Sequence, residues 1–281
     1  MTVNNYASAK LTRDQLAEIL KPPNRMTVSE ATRQYLILNN PGGYQGPWLP
    51  SHTPYWVEPM DTLTSRKHKA VIAVAPAQSG KTISLLLGWL TYNVTCDPSD
   101  MMLVETCQIN ARDFARRKIN RAHRHSPELN KRISRRRNDD NVFDKHYLNG
   151  TILTMAWPTI NHASGKSIRY VALTDYDRMS ENIDGEGDPF SLFQKRTTAF
   201  LTRGMTLVES SPGHVLSDNN WVPKSEHEAP PTKGILGLYN LGDRRRYYWP
   251  CPHCGEYFEP GPGLGGCPKI GNITTNVDMH S

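Results

Sequence analysis

The chain has 281 residues, enough for one large α/β domain with a smaller appendage. Hydrophobic residues make up 37% of it and its mean hydropathy is −0.58, so it is polar for a globular protein without having a disordered composition. Lysine and arginine outnumber aspartate and glutamate by 33 to 27, and the net charge of +6 favours a polyanionic partner. No stretch has the length and apolarity of a membrane span, and the first residues lack a signal-peptide pattern. We therefore expect a cytoplasmic protein with no membrane partner.

Residues 1–50 are expected to form an N-terminal helical segment. Apolar periodicity predicts one helix over Thr12–Leu20 and a second over Ser29–Leu38, with Ser29 as the N-cap of the second helix. A Pro-Gly-Gly sequence then ends the segment, because these residues do not continue a helix.

The next stretch has the layout of a phosphate-binding loop. Val71–Val74 predicts an apolar strand, Ala75–Thr82 reads Ala-x-x-x-x-Gly-Lys-Thr, and Ile83–Tyr92 predicts a buried helix. In such a loop backbone N–H groups converge on an anion, Lys81 supplies a charge to the β- and γ-phosphates, and Thr82 can ligate Mg²⁺. The usual pattern opens with glycine, whereas alanine restricts the first turn. We expect a nucleoside triphosphate with magnesium; the alternative is an exposed turn that caps a core helix.

Aromatic residues among prolines precede this loop. A flat ring at Tyr55 or Trp56 can stack on adenine, and ordinary packing beneath a proline-rich loop is an equally strong alternative. The residues predicted to contact the nucleotide are Tyr55, Ala75, Gln78, Ser79, Gly80, Lys81 and Thr82.

Carboxylates follow a later apolar strand that begins at Arg169. Phosphoryl transfer needs an acid that holds Mg²⁺ and a second acid that polarises the attacking water. Asp175 can be the metal-side acid with Asp177 nearby; alternatively Thr174 occupies the metal-side position and Asp175 activates water. Asp175 and Asp177 can both reach the site only if the strand continues as far as Asp177, since alternate residues share one face. A third alternative is that Asp175 merely caps a helix.

Strands that alternate with helices predict the fold class. The predicted strands are Val71–Val74, Met101–Thr106, Thr151–Trp157, the run from Arg169 and Met205–Glu209, with helices at Ile83–Tyr92 and Gln108–His123. This spacing predicts an α/β domain over residues 51–240 with a doubly wound, mostly parallel sheet of P-loop NTPase type. Ligands of such sheets lie beyond the carboxyl ends of the strands, so we expect Gln78–Thr82 and Asp175 at one edge.

Much of the positive charge lies in Arg112–Arg137, a stretch that contains only two acidic residues. A solvated helix face and a track that binds nucleic acid are equally compatible with this pattern.

Cys251 and Cys254 form a small C-terminal knuckle within residues 241–260. Two thiolates two residues apart with a glycine beyond suit one half of a tetrahedral zinc site. Only Cys267 and His280 remain downstream as further ligands. Zinc is therefore an optional cofactor, and we expect incomplete coordination if it binds.

Five motifs together resemble the ATPase half of a tailed-phage terminase large subunit of the GpA-like branch. They are Pro54-Tyr55, Ala75–Thr82, Thr174–Asp177, Asp184–Pro189 and Ser210-Ser211-Pro212. The resemblance implies a phage- or prophage-encoded motor that hydrolyses ATP with Mg²⁺ and moves double-stranded DNA into procapsids as a homo-oligomeric ring. It also implies a small-subunit partner and a procapsid portal.

The motifs and this resemblance together give expected roles for individual residues. Lys81, Asp175 and Asp177 are the expected catalytic residues, and Thr82 and Asp175 the expected Mg²⁺ ligands. Ser210, Ser211 and Pro212 would form a coupling motif that senses the γ-phosphate. Such motors also need an arginine from a neighbouring subunit, for which the candidates are Arg178, Arg196 and Arg203.

Two departures from the family temper this interpretation. The customary Asp-Glu pair is absent at Thr174-Asp175, and the chain ends at Ser281, where a full-length member continues into a nuclease domain. We expect residues 261–281 to be an irregular, truncated or frameshifted tail, and we expect no endonuclease activity. Two alternative functions remain: a non-hydrolysing or defective DNA-binding protein that keeps the phosphate loop as a scaffold, and a helicase-like DNA translocase.

Overall fold

A computed structural model describes most of the chain. The described residues are 8–10, 13, 26–136, 139–218, 220–251 and 254–259. The predicted helix Thr12–Leu20, apart from Arg13, and the predicted tail of residues 261–281 lie outside them. Within the described ranges, none of the helices combines the length and the apolar character that crossing a bilayer requires.

A six-stranded sheet forms the centre of the described structure. In chain order the strands are β1 (Ile37–Asn39), β2 (Gln45–Pro47), β3 (Ala70–Val74), β4 (Met101–Val104), β5 (Asp144–His146), β6 (Ile152–Ala156), β7 (Tyr170–Thr174), β8 (Met205–Ser210), β9 (Trp249–Pro250) and β10 (Tyr257–Phe258). The sheet has the order β3-β8-β7-β4-β6-β5, in which all neighbours are parallel except the edge pair β5 and β6. The prediction of a mostly parallel sheet is confirmed.

The central strands are buried because helices cover both faces of the sheet. Every residue of β4, β7 and β8 is buried, as near-continuous apolar runs in parallel sheets require. Met101 and Leu103 pack into one apolar cluster, and Met102 and Val104 pack into a second one. Alternate residues of one strand therefore serve two cores, which is what a doubly wound sheet demands.

The helices connect these strands. In chain order the described α-helices are α1 (Val28–Tyr35), α2 (Val57–Thr62), α3 (Gly88–Thr95), α4 (Gln108–Phe114), α5 (Asn120–His125), α6 (Pro127–Asn130), α7 (Ile160–Ala163), α8 (Pro189–Gln194) and α9 (Gly234–Asn240). A π-helical segment, Thr82–Leu87, runs directly into α3. A second one, Ala115–Ile119, joins α4 to α5, so the long helix predicted after β4 is present with a locally widened turn.

The start of α1 corrects the predicted N-cap. Thr27, rather than Ser29, caps this helix: the Glu30 N–H donates to the Thr27 hydroxyl at 3.3 Å, and the Thr27 N–H donates to the Glu30 carboxylate at 2.8 Å. This reciprocal capping box fixes the first turn. Ser29 lies inside the helix, where its hydroxyl donates to Asp61 at 3.0 Å.

The end of α1 also differs from the prediction. The helix stops at Tyr35, and Ile37–Asn39 pairs with Gln45–Pro47 in an antiparallel hairpin. The periodicity of this stretch did not distinguish the two states because its apolar run is short.

Candidate functional site

The loop after β3 needs two residues in the left-handed region. Gln78 has φ 61° and Gly80 has φ 80°. A Cβ atom at Gly80 would lie 2.9 Å from the Thr53 methyl group, so this position combines positive φ with close packing. Ala75 is not among the residues with positive φ, and the alanine that replaces the usual glycine is therefore compatible with the turn.

Aromatic side chains hold the loop from the side of residues 48–56. The Tyr55 hydroxyl and the Trp56 indole N–H both donate to the Ser79 carbonyl, at 3.0 and 2.7 Å. The Trp48 indole N–H donates to the hydroxyl of Ser84 at 3.1 Å. Trp56 is buried, whereas Tyr55 is half-buried, so Tyr55 is the ring that keeps an accessible surface beside the loop.

Lys81 is buried at the base of this loop. Its ammonium donates to the carbonyl of Ala75 at 3.1 Å, to the carbonyl of Pro76 at 2.8 Å and to the hydroxyl of Ser211 at 3.1 Å. The ammonium also lies 3.9 Å from the carboxylate of Glu209. Lys81 therefore connects the loop to the carboxyl end of β8, the strand that separates β3 from β7.

Glu209 is a buried acid that the sequence analysis missed. It is 2% exposed, and its Oε1 accepts the hydroxyl of Thr174 from the neighbouring strand. Its Oε2 has no hydrogen-bond partner among the residues that the structure describes. Desolvation raises the pKa of this carboxyl, while Thr174 and the Lys81 charge act to lower it. A glutamate at the end of an otherwise apolar strand was the available sequence signal.

Asp175 lies at the same edge of the sheet. Strand β7 ends at Thr174, and Asp175 has φ 53° and an exposed side chain. Its backbone N–H is 3.4 Å from Oε1 of Glu209. Although Asp175 precedes the 3-10 turn Tyr176–Arg178, its side chain makes no capping hydrogen bond, so the helix-cap alternative is not supported.

Asp177 has a different environment from Asp175. Because the strand ends before it, the two aspartates do not share a strand face, and that condition of the prediction is not met. The Asp177 side chain is 2% exposed, and its two oxygens accept the N–H groups of Gly213 at 2.8 Å and Ile235 at 2.6 Å. These contacts hold the start of α9 and the loop after β8.

The Ser210-Ser211-Pro212 sequence joins these groups. The Ser210 carbonyl accepts the Ala75 N–H at 3.3 Å, and its hydroxyl accepts the Asp177 N–H at 3.1 Å. The hydroxyl of Ser211 accepts from Lys81, while Pro212 is exposed. A displacement of Lys81 would therefore break a hydrogen bond at the end of β8.

Glu105, at the carboxyl end of β4, is a second buried acid of this edge. It is 6% exposed, and burial raises its pKa to about 7, with the charges of Asp175 and Glu209 adding to the shift. In the folded protein this carboxyl therefore holds a proton over a pH range in which the unfolded chain has lost it.

Substitution of Glu105 by glutamine tests this environment. From the ordinary pKa of 4.5 to about 7 the folded state binds more protons than the unfolded state, so stability falls as pH rises through this window. At pH 8 we expect Glu105→Gln to be more stable than the natural protein by roughly 3 kcal/mol. The difference should vanish near pH 4.5, as measured by urea unfolding of the nucleotide-free protein. A constant difference at all pH values would contradict the shift.

The basic stretch presents several arginines to solvent. Those exposed in the described part of Arg112–Arg137 are Arg112, Arg116, Arg117, Arg124, Arg135 and Arg136. Some of the basic residues form salt bridges with acidic neighbours. Arg117, for example, lies 3.6 Å from the carboxylate of Asp113. The geometry is compatible with both of the alternatives predicted for this stretch.

The cysteine knuckle forms a tight turn. The Gly255 N–H donates to the Cys251 carbonyl at 2.9 Å, the Cys251 N–H donates to the Glu256 carbonyl at 2.8 Å, and Gly255 has φ 74°. Among the described residues no group of three or more His, Cys, Asp or Glu side chains is arranged to hold a metal ion. His253, Cys267 and His280 lie outside the described residues. Zinc at Cys251 and Cys254 stays a prediction that metal analysis of the folded protein would test.

Comparison with known proteins gives consistent results. A family model described as "Phage terminase large subunit gpA, ATPase domain" matches residues 42–265. The large terminase subunit of Enterobacteria phage P21 is 22% identical over 249 residues, which cover 86% of this chain and 35% of that protein. The chain thus spans about a third of the length of this curated relative.

Two solved structures of large terminases are also similar to parts of the chain. The crystal structure of the HK97 bacteriophage large terminase matches with a TM-score of 0.48 and 13% identity, over 66% of this chain and 38% of that one. The large terminase ATPase domain of Thermus phage P74-26 matches with a TM-score of 0.39 and 13% identity, over 63% of this chain and 74% of that one.

Proposed function

Because the chain belongs to the family of phage terminase large subunit gpA ATPase domains, we propose that it binds ATP with Mg²⁺ at Ala75–Thr82 and hydrolyses it to drive DNA packaging. The observation that carries this proposal is the position of Lys81. Its ammonium is held between two carbonyls of the loop and the Ser211 hydroxyl, where phosphate oxygens can replace these neutral acceptors. An anionic acceptor makes the stronger hydrogen bond, so the exchange favours a phosphate.

The residues present fit a triphosphate. Ser79 Oγ is buried and has no hydrogen-bond partner within the described ranges, which leaves it available to a ligand. The left-handed backbone at Gln78 and Gly80 opens the loop, and the helix that starts after Lys81 adds its N-terminal dipole. Thr82 begins that helix and supplies the hydroxyl for Mg²⁺.

Each polar group has a role in this proposal. Lys81 binds the β- and γ-phosphates, and the exposed carboxylate of Asp175 acts at the reacting end of the triphosphate. When bound, Mg²⁺ neutralises charge that develops on the phosphate oxygens. Asp177 is assigned a positioning role, since both of its oxygens accept backbone N–H groups.

Tyr55 is proposed to contact adenine. Its ring lies beside the loop. The centroid of the Tyr55 ring is 5.9 Å from that of Tyr247 and 6.1 Å from that of Trp249. These two rings are 39% and 41% exposed, respectively. An accessible aromatic group next to the phosphate loop offers the flat apolar surface that a nucleobase needs.

Coupling to movement is proposed to run through the end of β8. When phosphate draws Lys81 away, the Lys81 contact to Ser211 breaks. The adjacent Ser210 is bonded to the backbone of Asp177, whose carboxylate holds the N-terminus of α9. A change at the nucleotide can in this way shift a helix on the surface.

Double-stranded DNA, the small terminase subunit and the procapsid portal are the proposed partners, and a homo-oligomeric ring is the proposed active form. The exposed arginines of Arg112–Arg137 provide charge for a phosphate backbone. Arg178 and Arg203 are exposed and can reach a neighbouring subunit, whereas Arg196 is half-buried. We therefore rank the first two above Arg196 as the arginine supplied to a neighbouring site.

Release of inorganic phosphate tests the proposal. Purified protein with Mg²⁺ and ATP should release phosphate, with a rate per molecule that rises with protein concentration because a neighbouring subunit completes the site. Addition of double-stranded DNA should raise the rate further. Failure to bind ATP in equilibrium titrations would overturn the proposal.

The exposed arginines also favour a second candidate, a non-hydrolysing DNA-binding protein. It predicts DNA affinity that falls steeply with salt and no phosphate release at any protein concentration. Phosphate release that requires ATP and Mg²⁺ would reject it.

A further inference from the structure

Strand β7, the strand that leads to Asp175, has no carboxylate at its last residue. Strand β7 ends at Thr174, a neutral residue, and the following Asp175 turns away from the strand with φ 53°. The proposed function needs a negative charge that holds Mg²⁺ close to the lysine and the threonine of the loop. Glu209, on the neighbouring strand β8, meets this requirement better than any other described acid.

We propose that Glu209 supplies the metal-side carboxylate of the site, and that the Thr174 hydroxyl orients it from the adjacent strand. This inference rests on the proposed binding of Mg²⁺ and ATP. It assigns the two acidic functions to different strands, with Glu209 on β8 for the metal and Asp175 after β7 for the attacking water.

The register of the sheet brings these groups together. Thr174 is directly paired with Glu209 across β7 and β8, and Val74 of β3 is paired with Ser210. The strand with Glu209 therefore lies between the strand that leads into the phosphate loop and the strand that ends at Thr174. Its carboxylate occupies the middle of the edge where ligands of parallel sheets bind.

The two oxygens of Glu209 have different environments. Oε1 accepts the Thr174 hydroxyl and lies 3.4 Å from the Asp175 N–H, so it is fixed by its neighbours. Oε2 is buried, has no hydrogen bond to any described residue, and faces Lys81 at 3.9 Å, which is too long for a hydrogen bond. A carboxylate with one fixed oxygen and one unpaired oxygen is arranged to accept a further cationic partner.

The balance of charge around Glu209 favours metal binding at its Oε2. Without nucleotide, the Lys81 ammonium is the cation nearest to Oε2 of Glu209. When Lys81 moves to the phosphates, a carboxylate that is 2% exposed loses this compensation, which is costly in a buried environment. Glu209 would regain a compensating charge by holding a divalent cation bound together with the nucleotide.

The other acids of this edge fit the role less well. Asp177 uses both oxygens for backbone N–H groups, and Asp175 is exposed. Glu105 directly follows β4, which is two strands away from β8, and accepts the N–H of its neighbour Thr106 at 3.2 Å. Only Glu209 combines proximity to Lys81 with an oxygen that lacks a partner among the described residues.

The test measures how strongly Mg²⁺ increases the affinity for a fluorescent ATP analogue. Affinity is determined with Mg²⁺ and with EDTA for the natural protein, for Glu209→Gln and for the matched control Glu105→Gln. We expect the increase caused by Mg²⁺ to fall about tenfold or more in Glu209→Gln, as for other groups that hold a metal or its ligands. Binding in EDTA should be unchanged or tighter, and the control should keep the full Mg²⁺ effect.

A second variant moves the charge instead of removing it. In the double variant Thr174→Asp with Glu209→Gln, the carboxylate returns at the paired position of β7, and most of the Mg²⁺ effect should return with it. Circular dichroism of each variant verifies folding, and the electron paramagnetic resonance of bound Mn²⁺ provides a readout independent of hydrolysis. Restoration by the double variant would show that the charge at this edge, rather than the shape of Glu209, is what matters.

Three outcomes would overturn parts of this picture in distinguishable ways. If Glu209→Gln tightens binding equally with Mg²⁺ and with EDTA, Glu209 is only the resting partner of Lys81 and the inference fails. If Glu209→Gln keeps the full Mg²⁺ effect, the metal is held elsewhere and the inference also fails. If the natural protein binds no nucleotide under either condition, the proposed function itself fails.

Discussion

Replacement of Lys81 by alanine is expected to abolish ATP hydrolysis, with a loss of at least ~10²-fold in turnover, as for removal of a single preorganised donor at a site of developing charge. The ammonium is the buried cation beside the loop and is 3.9 Å from the carboxylate of Glu209. Its removal takes away the positive charge at the phosphates and leaves that acid without its nearest cation. Nucleotide affinity should fall as well, and phosphate release and equilibrium titration measure the two effects.

Lys69→Ala is the matched control for this experiment. Lys69 directly precedes β3, at the end of the strand opposite to the loop, and its side chain is exposed. We expect hydrolysis by this variant to be unchanged. Equal turnover in the natural protein and in Lys81→Ala would remove the basis for assigning the loop to ATP.

Replacement of Asp177 by alanine is expected to destabilise the folded protein. The side chain is 2% exposed and accepts two backbone N–H groups, from Gly213 and Ile235. The N–H of buried Ile235 would be left without this acceptor, which costs roughly 1–3 kcal/mol, whereas the N–H of exposed Gly213 can donate to water instead. We therefore expect the free energy of unfolding to fall by about 1–3 kcal/mol, as measured by chemical denaturation.

Two further variants separate a positioning role of Asp177 from a catalytic one. Asp177→Asn keeps an acceptor oxygen and should recover part of the stability, while Glu186→Ala, at an exposed acid of the same segment, should be neutral. The effect of Mg²⁺ on nucleotide affinity should remain in Asp177→Asn. If stability is unchanged in Asp177→Ala but hydrolysis is lost, the catalytic role that the sequence predicted for this residue is correct.

The sequence predicted the central sheet well because the central strands are uniformly apolar. Strands β4, β7 and β8 are buried on both faces, and such runs are visible in the sequence without knowledge of their neighbours. The antiparallel edge strand β5 was missed, since it is only three residues long and Lys145 lies within it. Short polar strands are specified by their partners more than by their own composition.

The capping of α1 illustrates a local signal that was misjudged. Thr27 and Glu30 form a capping box that is readable in the sequence, whereas the predicted N-cap, Ser29, lies inside the helix. The hydroxyl of Ser29 is used instead by Asp61, which is 32 residues away in the chain. No local pattern contains that contact.

By itself, the sequence determined the strand, loop and helix around Lys81, because glycine, lysine and threonine at this spacing have few other uses between an apolar strand and an apolar helix. It also determined that the acid after Leu173 would follow a buried strand. Only the tertiary structure decided which acid faces Lys81. The strand order places β8 between β3 and β7, so Glu209 lies beside a lysine 128 positions earlier in the chain. The carboxylate of Asp177 instead accepts two backbone N–H groups. Periodicity reports the burial of one strand, whereas the partners of a buried side chain depend on which strands pair.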